Sequence, residues 1–393
     1  MRWFGQADSP FRHARTPTDT VKGSHGPVYT RRAPDRTGLN HCMKLPYLQF
    51  ETELGASATI EDTAAVIGRM AAGARLTLRA FATLRADGEH IRVGHDVYFG
   101  EHSTSHIVDS RFGTTVGDYV TVGRYGVVHG CTLADRVVVG EGTAIHDEAS
   151  VGAGAVIAAD SIVSPGKKLR GGWLYEGVPA KPVREISSAD ANAIAHSIRE
   201  GEVLAPARSG GLPTMRSTRR ARSSHRDAAR SPTSYVAPTA MLAGEIELRD
   251  DAGIYFGCVV DAGDGRVVVG ERSNVQDNSF LLTSLARGDL VIGAGVTIGH
   301  NVQIGSGSFG DDCLVGIMSR VADGVVVEPG GCIGAGAWVE AGVVVKAGWI
   351  WAGRPARPFR ELRAAEREEF ARGRDVYVEY GAAYRGTGSP RSP

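Results

Sequence analysis

Aliphatic residues recur every six positions in two long stretches of the chain, and glycine often follows them. An α-helix would repeat about every 3.6 residues and a simple strand every two. A period of six is the hexapeptide signature of a parallel β-helix, in which stacked short strands bury an aliphatic column. The two series comprise Val116, Val122, Val128, Leu133, Val139, Ile145, Val151, Ile157, Val163 and Leu169, and Ile292, Ile298, Ile304, Phe309, Val315, Val321, Val327, Ile333, Val339, Val345 and Trp351.

The two stretches are copies of one another. Residues 135–140 correspond to 311–316 (311 − 135 = 176), and residues 177–185 correspond to 353–361 (353 − 177 = 176). Both aliphatic series also contain a single five-residue step at the same place. The sequence therefore predicts an all-β fold with C-terminal helices, built from two tandem left-handed parallel β-helix domains of the hexapeptide-repeat kind.

Each copy ends in a polar stretch that favours a helix. After copy one, a cluster suited to capping a helix N-terminus at 187–190 leads into a helix predicted for 191–200. After copy two, residues 361–374 are rich in Ala, Glu and Arg, which predicts a second helix. The predicted segments are a disordered or upstream extension (1–46), copy one (47–201), an Arg-rich linker (202–232), copy two (233–385) and a disordered tail (386–393).

Charge and composition narrow the function classes. The formal net charge is zero, which does not suggest a nucleic-acid partner. The sequence contains no run of 18 apolar residues, so no membrane-spanning helix is expected. No apolar stretch typical of a signal peptide follows the N-terminal charges. Five cysteines without a CxxC pair fit a reducing cytoplasm, so the expected location is cytoplasmic.

Two basic segments lie outside the hexads. The first 42 residues hold scattered arginines among Pro, Gly, Ser and Thr, which indicates disorder, an extension ahead of Met43, or an organelle transit peptide. Between the copies, residues 205–233 hold seven arginines and one acidic residue, which indicates a solvated tether or a segment that docks on an acidic surface. The seven are Arg208, Arg216, Arg219, Arg220, Arg222, Arg226 and Arg230.

Histidines are distributed unequally between the copies. At the offset of 176, His106 corresponds to Leu282, His129 to Gly305, and Arg124 to His300. Copy one reads VTVGRYGVVHGC at 120–131 and copy two reads VTIGHNVQIGSG at 296–307. With the Asn-x-Gln-Asp run at 274–277, these motifs resemble the γ-class carbonic anhydrases, whose pattern is Gly-His, four residues, then His-Gly-Cys.

The resemblance covers roughly residues 47–200 and 233–375. It implies trimers of β-helix domains, with a metal between neighbours held by two histidines of one domain and one of the next. Carried over, His106 and His129 of copy one and His300 of copy two would bind zinc, iron(II) or cobalt, with an open fourth position. The implied reaction is attack of metal-activated hydroxide on carbon dioxide to give bicarbonate.

The residues around the implied metal are divided in the same way. The family's Arg-Gly-Asp resembles Arg85-Ala86-Asp87 in copy one and Ala262-Gly263-Asp264 in copy two. The Asn-x-Gln-Asp run is intact in copy two, whereas copy one has Tyr98, Gly100 and Glu101 there. By resemblance, Arg85 pairs with Asp277, and Gln276 orients the reacting oxygen. The implied catalytic residues are Gln276, Arg85, Asp87, Asp277 and Asn274.

A site shared between copy one and copy two is therefore expected, since each copy lacks the implied metal ligands and catalytic residues that the other copy has. The sequence leaves open whether it forms within one chain or between chains, and a homo-oligomer built on trimers of domains is expected. Glu101 and Glu89 are weak candidates for proton transfer. Other histidines are expected only to fill interfaces (His90, His95, His102 and His146).

Two other functions remain open at this point. Hexapeptide-repeat proteins include acyltransferases and coenzyme A thioesterases that use a catalytic histidine. The loss of a full triad in each copy also fits an inactive structural subunit of a larger assembly.

Overall fold

The computed structural model describes residues 43–201 and 228–386. The predictions for residues 1–42, for most of the Arg-rich linker and for the tail from 387 concern residues outside these ranges. The described chain forms two parallel β-helices, each followed by one α-helix. No helix in these two ranges is both long and apolar enough to span a bilayer.

Copy one contains twenty strands, most of them two or three residues long. They are β1 (Met43–Leu45), β2 (Glu53–Leu54), β3 (Thr59–Ile60), β4 (Ala65–Ala72), β5 (Thr77–Leu78), β6 (Thr83–Val93), β7 (Tyr98–Phe99), β8 (Thr104–His106), β9 (Thr114–Val116), β10 (Thr121–Val122), β11 (Val127–His129), β12 (Thr132–Leu133), β13 (Val138–Val139), β14 (Ala144–Ile145), β15 (Ser150–Val151), β16 (Val156–Ile157), β17 (Ile162–Val163), β18 (Lys168–Leu169), β19 (Trp173–Glu176) and β20 (Lys181–Glu185).

Copy two contains nineteen strands in the same arrangement. They are β21 (Ala229–Arg230), β22 (Tyr235–Val236), β23 (Met241–Leu248), β24 (Gly253–Ile254), β25 (Val259–Val269), β26 (Asn274–Val275), β27 (Phe280–Leu282), β28 (Leu290–Ile292), β29 (Thr297–Ile298), β30 (Gln303–Ile304), β31 (Gly307–Phe309), β32 (Leu314–Val315), β33 (Arg320–Val321), β34 (Val325–Val327), β35 (Cys332–Ile333), β36 (Trp338–Val339), β37 (Val344–Val345), β38 (Trp349–Gly353) and β39 (Ala356–Glu361).

Each β-helix has three faces of parallel strands. In copy one, β6 bends around a corner and pairs with β8 at one end and β9 at the other. The first face continues through β8, β11, β14 and β17, and the second through β9, β12, β15 and β18. The third face runs from β3 to β19 and ends in the antiparallel β20. In copy two, β25 divides in the same way, and the third face runs from β22 to β39.

The hexad prediction is confirmed. Every aliphatic position of the two series is at most 4% exposed, apart from the partly buried Leu169 and Trp351 at the ends. Val139 pairs with Ile157, and Val315 pairs with Ile333, so each aliphatic residue stacks on the one a full coil further along. Strand pairing begins at β1 and β21, a few residues before the domain starts predicted at 47 and 233.

The helices follow the predicted pattern but differ in extent. Helix α1 spans Ser188–Arg199, and the Ser187 hydroxyl accepts a hydrogen bond from the Asp190 backbone N–H at 3.1 Å. Helix α2 spans Ala364–Gly386, so it starts three residues later than predicted because Glu361 belongs to β39, and it continues well past 374. Its extra turns bury tyrosines between the copies. Such tertiary packing stabilises a helix over residues whose local propensity alone would not predict one.

The two copies lie side by side within one compact unit. The first face of copy one, at Val127, Ala144 and Ile162, packs on Ile317 and Met318 at a corner of copy two. Polar bonds flank this apolar contact. Asn278 donates to the Thr104 hydroxyl at 3.0 Å, and an Arg354 guanidinium N–H donates to the Asp160 carbonyl at 2.8 Å.

Replacing one core aliphatic residue tests this packing. Ile333 is fully buried in the column of copy two, so Ile333→Ala is expected to lower stability by about 2–5 kcal/mol through lost burial and a residual cavity. Urea unfolding followed by circular dichroism measures the change. Val326→Ala, on the outer side of β34 and 37% exposed, is the matched control and is expected to change little. Equal effects of both substitutions would contradict the inward register.

Candidate metal centre

Three residues of copy one form a column on its first face. Arg85 of β6 pairs with His106 of β8, and His106 pairs with His129 of β11, so the three side chains occupy the same position on successive coils. Gly130 follows His129 with a φ of +50°, and a Cβ there would lie 2.4 Å from Val108 Cγ2. Glycine at this position therefore lets the chain turn directly after the histidine.

Copy two supplies a second column at the corner after its third face. Val275 of β26 pairs with Ile298 of β29, which places Asp277 and His300 on successive coils just beyond the strand ends. Both residues are fully buried. This column faces that of copy one, with Asp277 opposite Arg85 and His300 opposite His106.

Three imidazole nitrogens converge where the columns meet. His106 Nδ1 lies 3.2 Å from His129 Nε2 and 3.3 Å from His300 Nε2, and all three atoms lie within 4.8 Å of one another. The histidines predicted from the sequence are therefore brought together within one chain. Tetrahedral zinc with bonds of 2.0–2.1 Å requires its nitrogen ligands to be about 3.3 Å apart.

A carboxylate lies beside the second nitrogen of each imidazole. Asp87 Oδ1 is 3.0 Å from His106 Nε2, Asp147 Oδ1 is 2.5 Å from His129 Nδ1, and Asp277 Oδ2 is 3.2 Å from His300 Nδ1. Each carboxylate selects the tautomer in which the nitrogen facing it carries the proton. The lone pair of the other nitrogen then points to the shared centre, as is usual for metal-binding histidines.

The Arg85 guanidinium crosses from copy one to copy two without any exposure to solvent. Its Nε donates to Asp277 Oδ2 at 2.9 Å, one terminal nitrogen donates to Asp87, and the other donates to the Tyr377 hydroxyl at 2.9 Å. The Arg85–Asp277 pair expected from the resemblance is thus present. Because the register pairs Asp261 with Leu282, the residue of copy two equivalent to Arg85 is Asp261 rather than Ala262.

Helix α2 adds tyrosines that the sequence analysis missed. The Tyr377 hydroxyl lies 3.3 Å from His300 Nε2, and the Tyr384 hydroxyl donates to Asp87 Oδ2 at 2.9 Å. The helix predicted from the sequence ends at 374, before these tyrosines. The spacing of Tyr377, Tyr380 and Tyr384 by three and four residues marks one helix face, and this signal could have revealed them.

Asp147 was also missed. It follows His129 by 18 residues (147 − 129 = 18). Because Val128 pairs with Ile145, the coil here is 17 residues long (145 − 128 = 17), and Asp147 lies directly after the position one coil beyond His129. Residues one coil apart are neighbours across a parallel pair of strands, as β11 and β14 are here. A search one coil on from each ligand that included the following residue would have identified it.

The electrostatics of the site favour neutral imidazoles at His106 and His300 and an ionised carboxylate at Asp277. Burial lowers the pKa of His300 to about 4, and burial with the nearby Arg85 holds the pKa of His106 well below its usual range. Burial alone would raise the pKa of Asp277, but Arg85 and His300 outweigh it and lower the pKa to about 2. Neutral imidazole is the form that binds metals, so the site is ready for a cation near neutral pH.

The predicted amide residues lie beside the triad. Gln276 is buried and donates from Nε2 to Asn274 Oδ1 at 3.2 Å, and Asn274 in turn donates to the Thr297 hydroxyl at 3.1 Å. Gln276, His106 and His129 share the end of a cleft of about 960 Å³ between the copies. All eight residues predicted from the resemblance are thus grouped at one place.

The remaining candidates lie elsewhere. Arg124, at the position equivalent to His300, pairs with Glu141 of its own copy, and Glu101 lies near Arg79. Glu89 contacts His90 at 2.8 Å, and neither Glu89 nor Glu101 lines the cleft. His102 stacks between Phe81 and Tyr125 at the contact of the copies, consistent with the interface role expected for it.

Removing the Arg85 guanidinium tests how much the contact of the copies depends on it. Arg85→Met leaves the buried carboxylates of Asp87 and Asp277 uncompensated, so a loss of about 3–5 kcal/mol in stability is expected. Urea unfolding measures it. Adding Asp277→Asn is expected to restore part of the loss, and Arg75→Met, which breaks an exposed pair with Asp96, serves as control. An unchanged midpoint for Arg85→Met would contradict the cross-link.

Comparison with known proteins finds carbonic anhydrases among the relatives of this chain. The chain is 35% identical over 139 residues to the mitochondrial γ carbonic anhydrase 1 of Arabidopsis thaliana, covering 34% of this chain and 50% of that protein. The chain spans about half the length of this relative and of the plant's γ carbonic anhydrase 2. No protein-family model matches the sequence.

A bacterial relative is matched over most of its length. The carbonic anhydrase of Geobacillus kaustophilus is 32% identical over 153 residues, which is 39% of this chain and 84% of that protein. Among solved structures, a hexapeptide transferase family protein from Anaplasma phagocytophilum is 32% identical and covers 40% of this chain and 92% of its own, with a TM-score of 0.38. Each match is about as long as one β-helix copy. This chain belongs to the γ-class carbonic anhydrase family of hexapeptide-repeat proteins, in a form that carries two copies of the β-helix.

Proposed function

We propose that this chain is a metal-dependent carbonic anhydrase that hydrates carbon dioxide at a site formed by both of its copies. The observation that supports the proposal is the convergence of His106, His129 and His300, two from copy one and one from copy two. Neither copy has all three histidines. Copy two has Leu282 and Gly305 at the positions of His106 and His129, and copy one has Arg124 at the position of His300.

The donor set fits a divalent transition metal. Two of the nitrogen separations match the spacing of ligands on tetrahedral zinc, and three imidazole ligands leave a fourth position for water. An all-imidazole site does not discriminate strongly between zinc, iron(II) and cobalt, so the identity of the ion is left to measurement. When bound, such an ion acts as a Lewis acid and lowers the pKa of water to about 7.

The carboxylates and Arg85 prepare the ligands. Each imidazole is oriented by one carboxylate, from Asp87, Asp147 or Asp277. Because the side chains are already held in place, a cation that binds has little side-chain entropy to remove. Arg85 bonds directly to two of these carboxylates, Asp277 and Asp87. The guanidinium therefore acts on the reaction indirectly, by positioning groups on both copies.

Gln276 is the residue assigned to orient the reacting water. Its Nε2 is bonded to Asn274, which fixes the amide plane and leaves the carbonyl oxygen as an acceptor for a water proton. An amide suits this role because it does not change charge near neutral pH. Carbon dioxide would reach this end of the site through the cleft, which Gln276 and His129 both line.

The proposed site is complete within one chain. All three histidines, their carboxylates and Gln276 belong to the same polypeptide, so an assembly of three domains is not needed to hold the ion. A homo-oligomer built on trimers of domains stays a prediction, as do the acyl-transfer and structural-subunit alternatives. Metal content and activity together separate these possibilities.

Metal content is the first test. Purified protein dialysed against zinc is expected to hold about one ion per chain, and His300→Ala is expected to lose most of it because two imidazoles bind weakly. Inductively coupled plasma mass spectrometry measures the ratio. His196→Ala, on the exposed side of α1, is the matched control. Unchanged zinc in His300→Ala would refute the shared site, and metal-free wild type would favour a structural subunit.

Carbon dioxide hydration is the second test. Gln276→Leu is expected to lower kcat roughly a hundredfold, as removing one preorganised polar group at a reacting oxygen does, while zinc content stays unchanged. Stopped-flow measurement with a pH indicator gives the rate. Gln303→Leu, on the first face of copy two, is the matched control. Zinc-loaded wild type without hydration activity would exclude the proposed reaction while leaving the metal site intact.

A further inference from the structure

The cleft beside the triad is far larger than a three-atom substrate requires. Its volume of about 960 Å³ would hold on the order of thirty water molecules at about 30 Å³ each. Sites for organic ligands typically occupy about 300–1,000 Å³ and are mostly apolar with a few placed polar groups. The cleft lies at the upper end of that range, and it extends from the histidines along the third face of copy two.

The walls of the cleft come from three parts of the chain. Val108 follows β8 in copy one, Leu314 and Ile350 lie on the third face of copy two, and Phe370 and Val376 lie on α2. These side chains make most of the wall apolar. Gly373, also on α2, lines the cleft, and a Cβ added there would meet nothing within 4 Å.

Two buried polar atoms at the cleft lack partners. His146 and Tyr380 both line it and are 8% and 4% exposed. His146 Nε2 and the Tyr380 hydroxyl have no hydrogen-bond partner among the described residues. His146 lies one coil beyond His129 in the column of copy one, because Val128 pairs with Ile145. Buried polar groups normally have partners, so two such atoms beside one cavity indicate a ligand with a polar group there.

The charges around the cleft argue against an anionic ligand. Among the described lining residues, carboxylates outnumber guanidinium groups by five to two. The carboxylates are Asp109, Asp147, Glu369, Asp375 and Glu379, and the arginines are Arg111 and Arg372. Both arginines already pair with Glu369. A polyanion such as coenzyme A would therefore meet net repulsion without a free cation to receive it.

We infer that the cleft is a binding site for an uncharged, mainly apolar organic molecule whose carbonyl group is held by Tyr380 and His146 near the histidine triad. The Tyr380 hydroxyl donates to the carbonyl oxygen, and the apolar chain lies along Leu314, Ile350 and Phe370. The inference goes beyond the proposed reaction, because binding in the cleft requires neither the metal nor carbon dioxide.

A fluorescent probe tests the site in the full chain with metal chelated. N-phenyl-1-naphthylamine, an uncharged dye that brightens in apolar surroundings, is expected to bind and to be displaced by N-octylacetamide. Octanoate and coenzyme A are expected to displace it at least tenfold less effectively. Displacement by octanoate or coenzyme A at lower concentrations than the amide, or no binding of the dye, would overturn the inference.

Two variants locate the binding within the cleft. Gly373→Leu fills the open space on α2 and is expected to weaken binding of the dye at least tenfold, whereas Ala365→Leu, exposed on the same helix and outside the cleft, changes it less than twofold. Circular dichroism confirms that both variants fold. Equal dye affinity in the two variants would place the dye elsewhere and overturn the assignment.

The polar contact has its own variant. Tyr380→Phe is expected to weaken N-octylacetamide about threefold to tenfold, the effect of one hydrogen bond between uncharged groups, and to leave the dye unchanged. An unchanged amide affinity would remove Tyr380 from the site. Because these measurements use metal-free protein, their failure is distinct from failure of the zinc and hydration tests.

Discussion

One buried guanidinium holds the two halves of this protein in register. Arg85 of copy one bonds to a carboxylate of each copy and to a tyrosine of α2, with no exposure to solvent. Burying an arginine is tolerated only when its donors and charge are satisfied, so the partners must be in place together. The bonds of Arg85 therefore link the position of α2 to the way in which the two histidine columns face each other.

This coupling explains why the copies are not interchangeable. The position in copy two equivalent to Arg85 is Asp261, and the position in copy one equivalent to His300 is Arg124. A pair of identical copies would place a cation at the centre or leave one imidazole there. The observed pairing instead gives three imidazoles, each beside a carboxylate, in the same chain.

Helix α2 has two roles in the same region. Its tyrosines pack beside the triad, where the Arg85 guanidinium carbon lies 5.2 Å from the Tyr377 ring centre. Its earlier turns, with Tyr377 and Tyr380, form a wall of the cleft. His300 is thereby fully buried, whereas the His129 side chain keeps 13% exposure beside the cleft. The His129 side of the site is therefore the more accessible to solvent, and burial of the other two histidines strengthens the local electrostatics.

The sequence by itself determined the repeat, the duplication and the identity of the unequal histidines, because hexad period and offset are local properties that require no knowledge of distant contacts. It also indicated the division of Arg85 and Asp277 between copies through family resemblance. Only the tertiary structure decided that His106 and His300, 194 residues apart, meet within one chain. It likewise decided that α2 continues to Tyr384 and encloses a cleft, since these features depend on burial between surfaces that no local pattern specifies.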